Sequence, residues 1–227
     1  MTARSPALPE RRSYGVVDDR FERYVTKLFA AEDPILAKIR ERHESEKLPP
    51  INVSPEEGKL LHLVIRLVHA KHVLEIGTLG GYSGVWIARA LPPGGTLTTI
   101  EKDAKHAAIA REAFVAAGLQ DRVRLIEGAA LDVLPTLAPG FDVVFIDADK
   151  EPLPKYFEWG MRLLRPGGLL LCDNAFFHGA AVDPKDQSPA GRGVRAFNEL
   201  AAADPRLIAT IIPVRDGLLV GLKLGDA

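Results

Sequence analysis

The sequence predicts an α/β protein built on a Rossmann-like, seven-stranded, mostly parallel sheet with helices on both faces. Three observations lead to this prediction. Short β-rich runs alternate with helical segments through the middle of the chain, a pattern typical of a parallel sheet. The last two apolar runs are only three residues apart, which requires an antiparallel hairpin. The 227 residues are 47% hydrophobic, enough for one sizeable core.

The segment before the sheet is predicted to comprise a tail and three helices. Residues 1–17 are expected to be a flexible tail, and residues 18–47 to form two charged amphipathic helices interrupted at an Asp-Pro pair. A third helix begins at Ser54, which can cap it, and Glu57 completes a capping box three residues later. This helix is expected to run to about residue 70.

Seven strands follow from the apolar runs at residues 73–76, 97–100, 123–126, 143–146, 169–172, 207–214 and 218–224. Helices are expected between them, for example at residues 104–117 and 153–164. Because a connection of three residues joins the last two strands, the last strand is predicted to be antiparallel to the rest. Residues 18–227 thus form one domain, of which residues 18–70 are accessory helices.

Composition excludes several classes of protein. The formal net charge of −1 argues against an extended basic surface for nucleic acid. Cys172 is the single cysteine, so an intrachain disulfide and a cysteine zinc cluster are both impossible, and a cytoplasmic location is expected. No apolar run approaches the roughly 20 residues needed to span a membrane.

A glycine-rich loop at residues 75–84 follows the first strand. In open α/β sheets, ligands bind at the carboxyl ends of the strands, and glycines let the backbone approach them closely. Leu79 stands where the dinucleotide pattern has its second glycine, so NAD is disfavoured. Glu101 ends the second strand, and its carboxylate suits a ribose diol. A tight packing turn and a solvated carboxylate remain the alternatives, but together these features favour a bound nucleoside.

Polar side chains also follow the fourth and fifth strands. Asp147 and Lys150 lie after the fourth strand, and Asp173 and Asn174 lie after the fifth. Either segment alone could equally cap a helix. At neighbouring strand ends, however, three oxygen ligands suit a hard cation such as Mg²⁺, whose charge removes the repulsion between the two carboxylates.

These motifs resemble those of the class I, cation-dependent O-methyltransferases, the family of catechol and caffeoyl-CoA O-methyltransferases and their bacterial relatives. The resemblance covers roughly residue 51 to the C-terminus and includes a turn at residues 165–168. It is carried by the motifs VLEIGTLGGYS at residues 73–83, TIE at 99–101, FDVVFIDADK at 141–150 and LLCDN at 170–174.

The resemblance implies roles for individual residues. The implied cofactor is S-adenosylmethionine, with Mg²⁺ or another divalent cation such as Mn²⁺ or Ca²⁺ as the metal. Lys150 is implied to be the base, and the expected metal ligands are Asp147, Asp173 and Asn174. The expected cofactor contacts are Val53, Glu75, Gly77, Ser83, Glu101, Ala129, Asp147 and Asp149; Asp147 also counts among the catalytic residues. The family is typically dimeric, so a homodimer is expected.

The expected reaction is methylation of one hydroxyl of a catechol-like or caffeoyl-type small molecule. A free phenol has a pKa near 10, and coordination to a divalent cation stabilises the phenolate. Lys150 could accept the proton if a nearby cation and partial burial lower its pKa. Two alternatives stay open: methylation of a hydroxylated uridine in tRNA, and a non-catalytic nucleoside-binding protein.

Overall fold

The computed structural model describes residues 19–225, and within this range seven strands form one mixed sheet. The strand order is β3-β2-β1-β4-β5-β7-β6. Six strands run in one direction and β7 runs antiparallel between β5 and β6, which confirms the predicted fold class. The strands are β1 (His72–Ile76), β2 (Thr96–Glu101), β3 (Val123–Glu127), β4 (Phe141–Ile146), β5 (Leu164–Cys172), β6 (Leu207–Ile212) and β7 (Leu218–Lys223).

Helices cover both faces of the sheet. Side chains of α2 to α5 form one apolar core with residues such as Val73 and Val143, and side chains of α7 and α8 form a second with residues such as Leu74 and Val144. The helices are α1 (Asp19–Phe29), α2 (Pro34–Ser45), α3 (Pro55–Leu67), α4 (Tyr82–Ala90), α5 (Ala104–Ala116), α6 (Ala130–Val133), α7 (Leu153–Leu163) and α8 (Pro189–Ala203). Alternate strand residues therefore face opposite layers, as a doubly covered sheet requires.

The accessory helices begin where the sequence predicts. Asp33 caps α2 with its side chain, and the capping box of Ser54 and Glu57 is present at the start of α3. Helix α3 ends at Leu67, three residues earlier than expected, and His69 takes a left-handed φ of 52° as the chain turns into β1. The predicted tail at residues 1–17 lies outside the described residues.

Two strand ends differ from the predictions. Strand β6 ends at Ile212 because Pro213 has no N–H to donate to the ladder. The expected turn at residues 165–168 belongs to β5 instead. There the pairing jumps from Phe141 with Leu164 to Val143 with Leu169, so the extra residues bulge out of the ladder.

None of the helices in the described range is both long and apolar enough to cross a bilayer.

Candidate active site

The candidate residues meet along one edge of the sheet, at the carboxyl ends of its parallel strands. The backbone N–H groups of Gly77, Asp147 and Asp173 donate to carbonyls near the end of the neighbouring strand, at 3.0, 2.9 and 3.0 Å. Adjacent strands lie about 4.8 Å apart, so the ends of β3 to β5 span about 19 Å. The strand order reverses between β1 and β4, and such a switch point is where doubly wound sheets bind ligands.

Gly77 lies at this switch point between β1 and β4. Its φ of +96° lies in the left-handed region, and a Cβ there would be 1.9 Å from the backbone oxygen of Asp147. Only glycine permits both the conformation and the contact. The glycine therefore brings the end of β1 against the end of β4, where the predicted cofactor and metal residues meet.

Glu75 forms a closed polar network beneath the glycine-rich loop. Its carboxylate is fully buried and accepts hydrogen bonds from Ser83 Oγ at 2.6 Å and Thr99 Oγ1 at 2.7 Å. Burial raises the pKa of Glu75 to about 7, although the two hydroxyls oppose this shift. The structure thus brings Ser83, in the first turn of α4, against Glu75 as part of one network.

Glu101 binds the glycine-rich loop from the neighbouring strand. Its carboxylate accepts the backbone N–H groups of Thr78 at 3.2 Å, Leu79 at 2.8 Å and Asp103 at 2.9 Å. A carboxylate offers about four lone-pair sites, so roughly one remains for a ribose hydroxyl. Ala129 is exposed one residue beyond Gly128, whose N–H donates to the carbonyl of Glu101 at 2.8 Å.

Lys150 connects the ends of β4 and β5. Its Nζ lies 3.3 Å from Asp147 Oδ1 and 3.4 Å from the backbone oxygen of Asp173. Burial lowers the pKa of Lys150, but the carboxylates of Asp147 and Asp173 more than offset this and raise the pKa above its usual value. The net shift of the Lys150 pKa is therefore upward, opposite to the lowering expected from the sequence. A lowered pKa would require the charge of a cation.

Asp173 is a buried carboxylate with little compensating charge. Its side chain is 3% exposed, and burial, together with Asp147 and Glu57, raises its pKa to about 8. Its Oδ1 accepts the backbone N–H of Asn174 at 2.7 Å, and Asn174 takes a left-handed φ of 57°. This set of two carboxylates and an amide suits a divalent cation, because the cation would relieve their repulsion.

The metal site is predicted from the chemistry of three side chains. Among residues 20–225, no three or more His, Cys, Asp or Glu side chains are grouped so that they could hold an ion. The expected set contains only two such residues, with Asn174 as the third ligand. The ligands Asp147, Asp173 and Asn174 therefore remain a prediction.

Two further expected cofactor contacts lie at the sides of the site. Asp149 is exposed, accepts the Tyr156 hydroxyl at 2.8 Å and lies 3.4 Å from Lys102 Nζ, which places it between the ends of β4 and β2. Val53 is 3% exposed and packs into the core formed by α2 to α5. Their roles toward a cofactor remain predictions.

The sequence missed residues that reach the site from distant elements. Glu57 was predicted only as a cap, yet its charge raises the pKa of Asp173. A Cβ at Gly193 of α8 would be 2.1 Å from the carbonyl oxygen of Lys150, so this glycine lets α8 approach the lysine. For Arg195 of α8 the sequence favours a solvated helix face over contact with an anionic substrate, but its Nη1 donates to the carbonyls of Ala180 at 2.6 Å and Asp183 at 3.2 Å. No short-range pattern indicates these contacts.

Arg195 shapes an open pocket in the loop that follows Asn174. The pocket has a volume of about 480 Å³ and is lined by Phe177, His178, Gly179, Ala180, Asp183 and Asp186. The N–H of Phe177 donates to the carbonyl of Asn174 at 3.1 Å, so the pocket begins beside the predicted metal ligands. Cys172, one residue before Asp173, is buried, and burial raises the pKa of its thiol to about 12, which makes it inert.

A family model described as O-methyltransferase matches residues 26–224. The chain belongs to the O-methyltransferase family. Two curated relatives are catechol O-methyltransferases. The protein from Niastella koreensis is 42% identical over 209 residues, covering 90% of this chain and 92% of the relative. The protein from Mycobacterium tuberculosis is 41% identical over 192 residues, covering 83% and 87%.

Solved structures agree with this assignment. An O-methyltransferase from Bacillus cereus, in complex with S-adenosylhomocysteine, is 39% identical with a TM-score of 0.86, covering 90% of this chain and 97% of that one. The O-methyltransferase TomG from Streptomyces achromogenes, in complex with S-adenosylmethionine, is 41% identical with a TM-score of 0.86, covering 91% and 96%. The prediction of an S-adenosylmethionine-dependent O-methyltransferase is confirmed at the level of the family.

Proposed function

We propose that this enzyme methylates one hydroxyl of a vicinal diol on a catechol-like or caffeoyl-type small molecule, with S-adenosylmethionine as donor and a divalent cation as cofactor. The proposal rests on the arrangement of residues along the carboxyl edge of the sheet. The glycine-rich loop with Glu75 and Glu101 lies directly beside the cluster of Asp147, Lys150 and Asp173, across the contact of Gly77 with Asp147. A donor site and an acceptor site therefore adjoin.

The donor half suits S-adenosylmethionine. Glu101 has an acceptor site left for a ribose hydroxyl, and Gly77 with Ser83 permits close approach of a ligand to the start of α4. The buried Glu75 keeps this loop in place. We assign the methionine part to Glu75, Gly77 and Ser83, the ribose to Glu101 and the adenine side to Ala129. The Bacillus and Streptomyces relatives bind S-adenosylhomocysteine and S-adenosylmethionine, which supports this choice of donor.

The acceptor half suits a metal-chelating diol. Asp147, Asp173 and Asn174 would hold Mg²⁺, Mn²⁺ or Ca²⁺, since their oxygens are hard ligands and Asp173 lacks compensating charge. When bound, the cation stabilises the phenolate form of an acceptor hydroxyl. The adjacent pocket beyond Asn174 would receive the rest of the acceptor. The names of the two catechol O-methyltransferases agree with this substrate class.

Lys150 would take the acceptor proton at its Nζ. Its ammonium lies between Asp147 and the backbone of Asp173, beside two of the proposed metal ligands. The surrounding carboxylates favour its protonated form. If a cation neutralised their charge, Lys150 would release its own proton to solvent and would then accept the proton of the acceptor hydroxyl. Positioning of oxygen, methyl carbon and sulfur in line would supply much of the rate.

A methyl-transfer screen with a labelled donor tests the proposed function. Catechol, caffeoyl-CoA and bulk tRNA should each be offered with Mg²⁺ and with a chelator. We expect transfer to the two diols only, and only with the metal. Transfer to tRNA alone would assign the enzyme to the nucleic-acid alternative, and transfer to no acceptor together with binding of S-adenosylhomocysteine would favour the non-catalytic alternative.

We also propose that α1 pairs with a second copy of the chain. This helix is attached through polar side chains, Thr26 to Glu56 and Glu22 to Arg215, and its apolar stripe faces outward. The stripe is 39–63% exposed and consists of Phe21, Tyr24, Val25, Leu28 and Phe29. Side chains of this size present on the order of 500 Å² of apolar surface, at the upper end of what a monomer exposes.

Light scattering tests the pairing. We expect the wild type at twice the chain mass, and the double variant Tyr24→Glu, Leu28→Glu as a monomer, because two buried carboxylates would oppose an apolar interface. Lys27→Glu, on another face of α1, is the matched control and should remain a dimer. A monomeric wild type would contradict the proposal.

A further inference from the structure

His43 is a buried histidine whose ring nitrogens are not satisfied within the described structure. It lies on α2 and is 4% exposed. The backbone of Gly80 and the side chain of Asn52 lie close to the ring, but neither Nδ1 nor Nε2 reaches hydrogen-bond geometry with a partner. Burial lowers the pKa of His43, so the ring is neutral near pH 7. Buried polar atoms of this kind are rare and call for an explanation.

The ring occupies the space above Gly80, in the middle of the glycine-rich loop. A Cβ on Gly80 would be 1.9 Å from His43 Nε2, 2.5 Å from Cδ2 and 2.9 Å from Cε1, and these are its three nearest neighbours. Gly80 does not take the left-handed conformation that restricts Gly77 and Gly81. Its lack of a side chain is therefore explained by the imidazole and not by the backbone.

The flanks of Gly80 bind both acids of the donor half. On one side, the N–H of Leu79 donates to Glu101 at 2.8 Å. On the other side, Ser83 Oγ donates to Glu75 at 2.6 Å. A displacement of Gly80 would therefore move the contacts of both carboxylates together.

Polar contacts with α4 and α5 also hold helix α2, and the Tyr82 hydroxyl at the start of α4 donates to Glu32, just before α2, at 2.7 Å. Lys105 Nζ of α5 donates to the carbonyl of Glu46 at 2.6 Å, Arg42 pairs with Glu112 of α5 at 3.3 Å and Arg89 of α4 pairs with Asp33 at 2.8 Å. The accessory helix α2 thus fixes the position of the His43 ring, and the ring limits how far the glycine-rich loop can move toward α2.

We propose that His43 is a positioning residue for the donor: its ring packs on Gly80 and sets the position of residues 78–83 for S-adenosylmethionine. The inference rests on the proposed function, since it assigns this loop to the donor. His43 touches no reacting atom in this account. It acts through Gly80 on the amides and hydroxyl that surround Glu101 and Glu75.

A double-mutant cycle on Gly80 and His43 tests the inference. The proteins are wild type, Gly80→Ala, His43→Ala and the double variant, with calorimetric titration of S-adenosylhomocysteine and steady-state kinetics for S-adenosylmethionine. We expect Gly80→Ala to weaken binding about tenfold or more, the scale of an overpacked contact. In the His43→Ala background the same substitution should have little effect on binding, because the added methyl group no longer meets an imidazole ring. KM for the donor should rise while kcat stays within about twofold.

Two controls separate positioning from general damage. Gly225→Ala is the matched glycine substitution, because its Cβ would meet only Pro166 at 3.9 Å, and it should bind like the wild type. His43→Gln keeps a neutral polar side chain and should retain tighter binding than His43→Ala at equal thermal stability. If Gly80→Ala does not fold, the comparison of His43→Gln with His43→Ala tests the inference in its place.

Three results would overturn the inference. Gly80→Ala could weaken binding equally in both backgrounds, the loss could fall on kcat with KM unchanged, or His43→Ala and His43→Gln could both bind like the wild type. In each case the wild type binds S-adenosylhomocysteine, so the proposed function survives. Failure of the wild type itself to bind would instead reject the proposed function.

Discussion

The two halves of the carboxyl edge differ in how their acids are satisfied. On β1 and β2, Glu75 accepts two hydroxyls and Glu101 accepts three backbone amides. On β4 and β5, Lys150 Nζ contacts the carboxylate of Asp147 but only the backbone oxygen of Asp173. Burial, together with repulsion from Asp147, raises the pKa of Asp173 to about 8. The acids of the donor half are satisfied as folded, whereas the two carboxyls of the acceptor half cannot both ionise at neutral pH without added positive charge.

This difference indicates what each half binds. A preformed network of neutral donors around a carboxylate suits a ligand that is recognised by hydrogen bonds, and little of the chain has to move. A buried pair of under-neutralised carboxylates suits a ligand that brings positive charge. Under the proposed function, the same edge would therefore combine a site for a nucleoside with a site for a cation.

Removing one acid from the acceptor half should have the largest effect on activity. Asp173→Ala should abolish metal-dependent methyl transfer, since stabilisation of a phenolate by a cation is worth several kcal/mol. Donor binding should persist, because Glu75 and Glu101 are unchanged. Kinetics and calorimetry of S-adenosylhomocysteine measure the two effects. A chelator should reproduce the loss in the wild type, and full activity in both cases would refute the metal assignment.

Replacing the lysine of the acceptor half should have a smaller and pH-sensitive effect. Lys150→Ala should lower kcat by about 10²–10⁴-fold, the contribution of a general base. Raising the pH should recover part of the rate, because more acceptor is then ionised without help. Lys102→Ala is a matched control from the same edge, since Lys102 contacts Asp149 and is exposed. A pH-independent loss would argue that Lys150 only holds the structure.

The donor half should carry a pH-dependent stability that depends on Glu75. Folded Glu75 holds its proton to a pKa of about 7, whereas the unfolded chain releases it near 4.5. The folded state thus binds more protons between these values, and stability is present below about pH 4.5 and declines as pH rises toward 7. The difference is worth up to about 3 kcal/mol.

Urea unfolding at pH 5 and pH 7.5 measures this contribution. Glu75→Gln should reduce the dependence without abolishing it, because Asp173, whose pKa burial and Asp147 raise to about 8, adds a decline of the same sign. Glu127→Gln should leave the dependence unchanged, because Glu127 is exposed at the end of β3. An unaltered profile in Glu75→Gln would show that another group is responsible.

Removing the second acid of the donor half should have the smallest effect of this series. Glu101→Ala should weaken S-adenosylhomocysteine by about 1–3 kcal/mol, the value of a hydrogen bond to a charged group. Metal dependence of the residual activity should be unchanged. Calorimetry measures the loss and should detect no binding of NAD⁺ to the wild type. Tight NAD⁺ binding would contradict the reading of this half as a methyl-donor site.

The sequence by itself determined the fold class, the seven strands, the capped start of α3 and the order of acids along the edge. Each of these depends on local patterns: alternation of strands and helices, Ser54 with Glu57, and polar residues directly after apolar runs. The parallel sheet then places Glu101, Gly77, Asp147 and Asp173 side by side, because the carboxyl ends of parallel strands share one edge.

Only the tertiary structure decided which distant residues complete the site. Glu57 affects Asp173, Gly193 permits the approach of α8 to Lys150, and His43 packs on Gly80. These pairs are separated by 37 to 116 positions in the sequence, and no periodicity relates them. Their proximity results from how helices pack on the sheet, which depends on the fit of whole surfaces and is not encoded in any short segment.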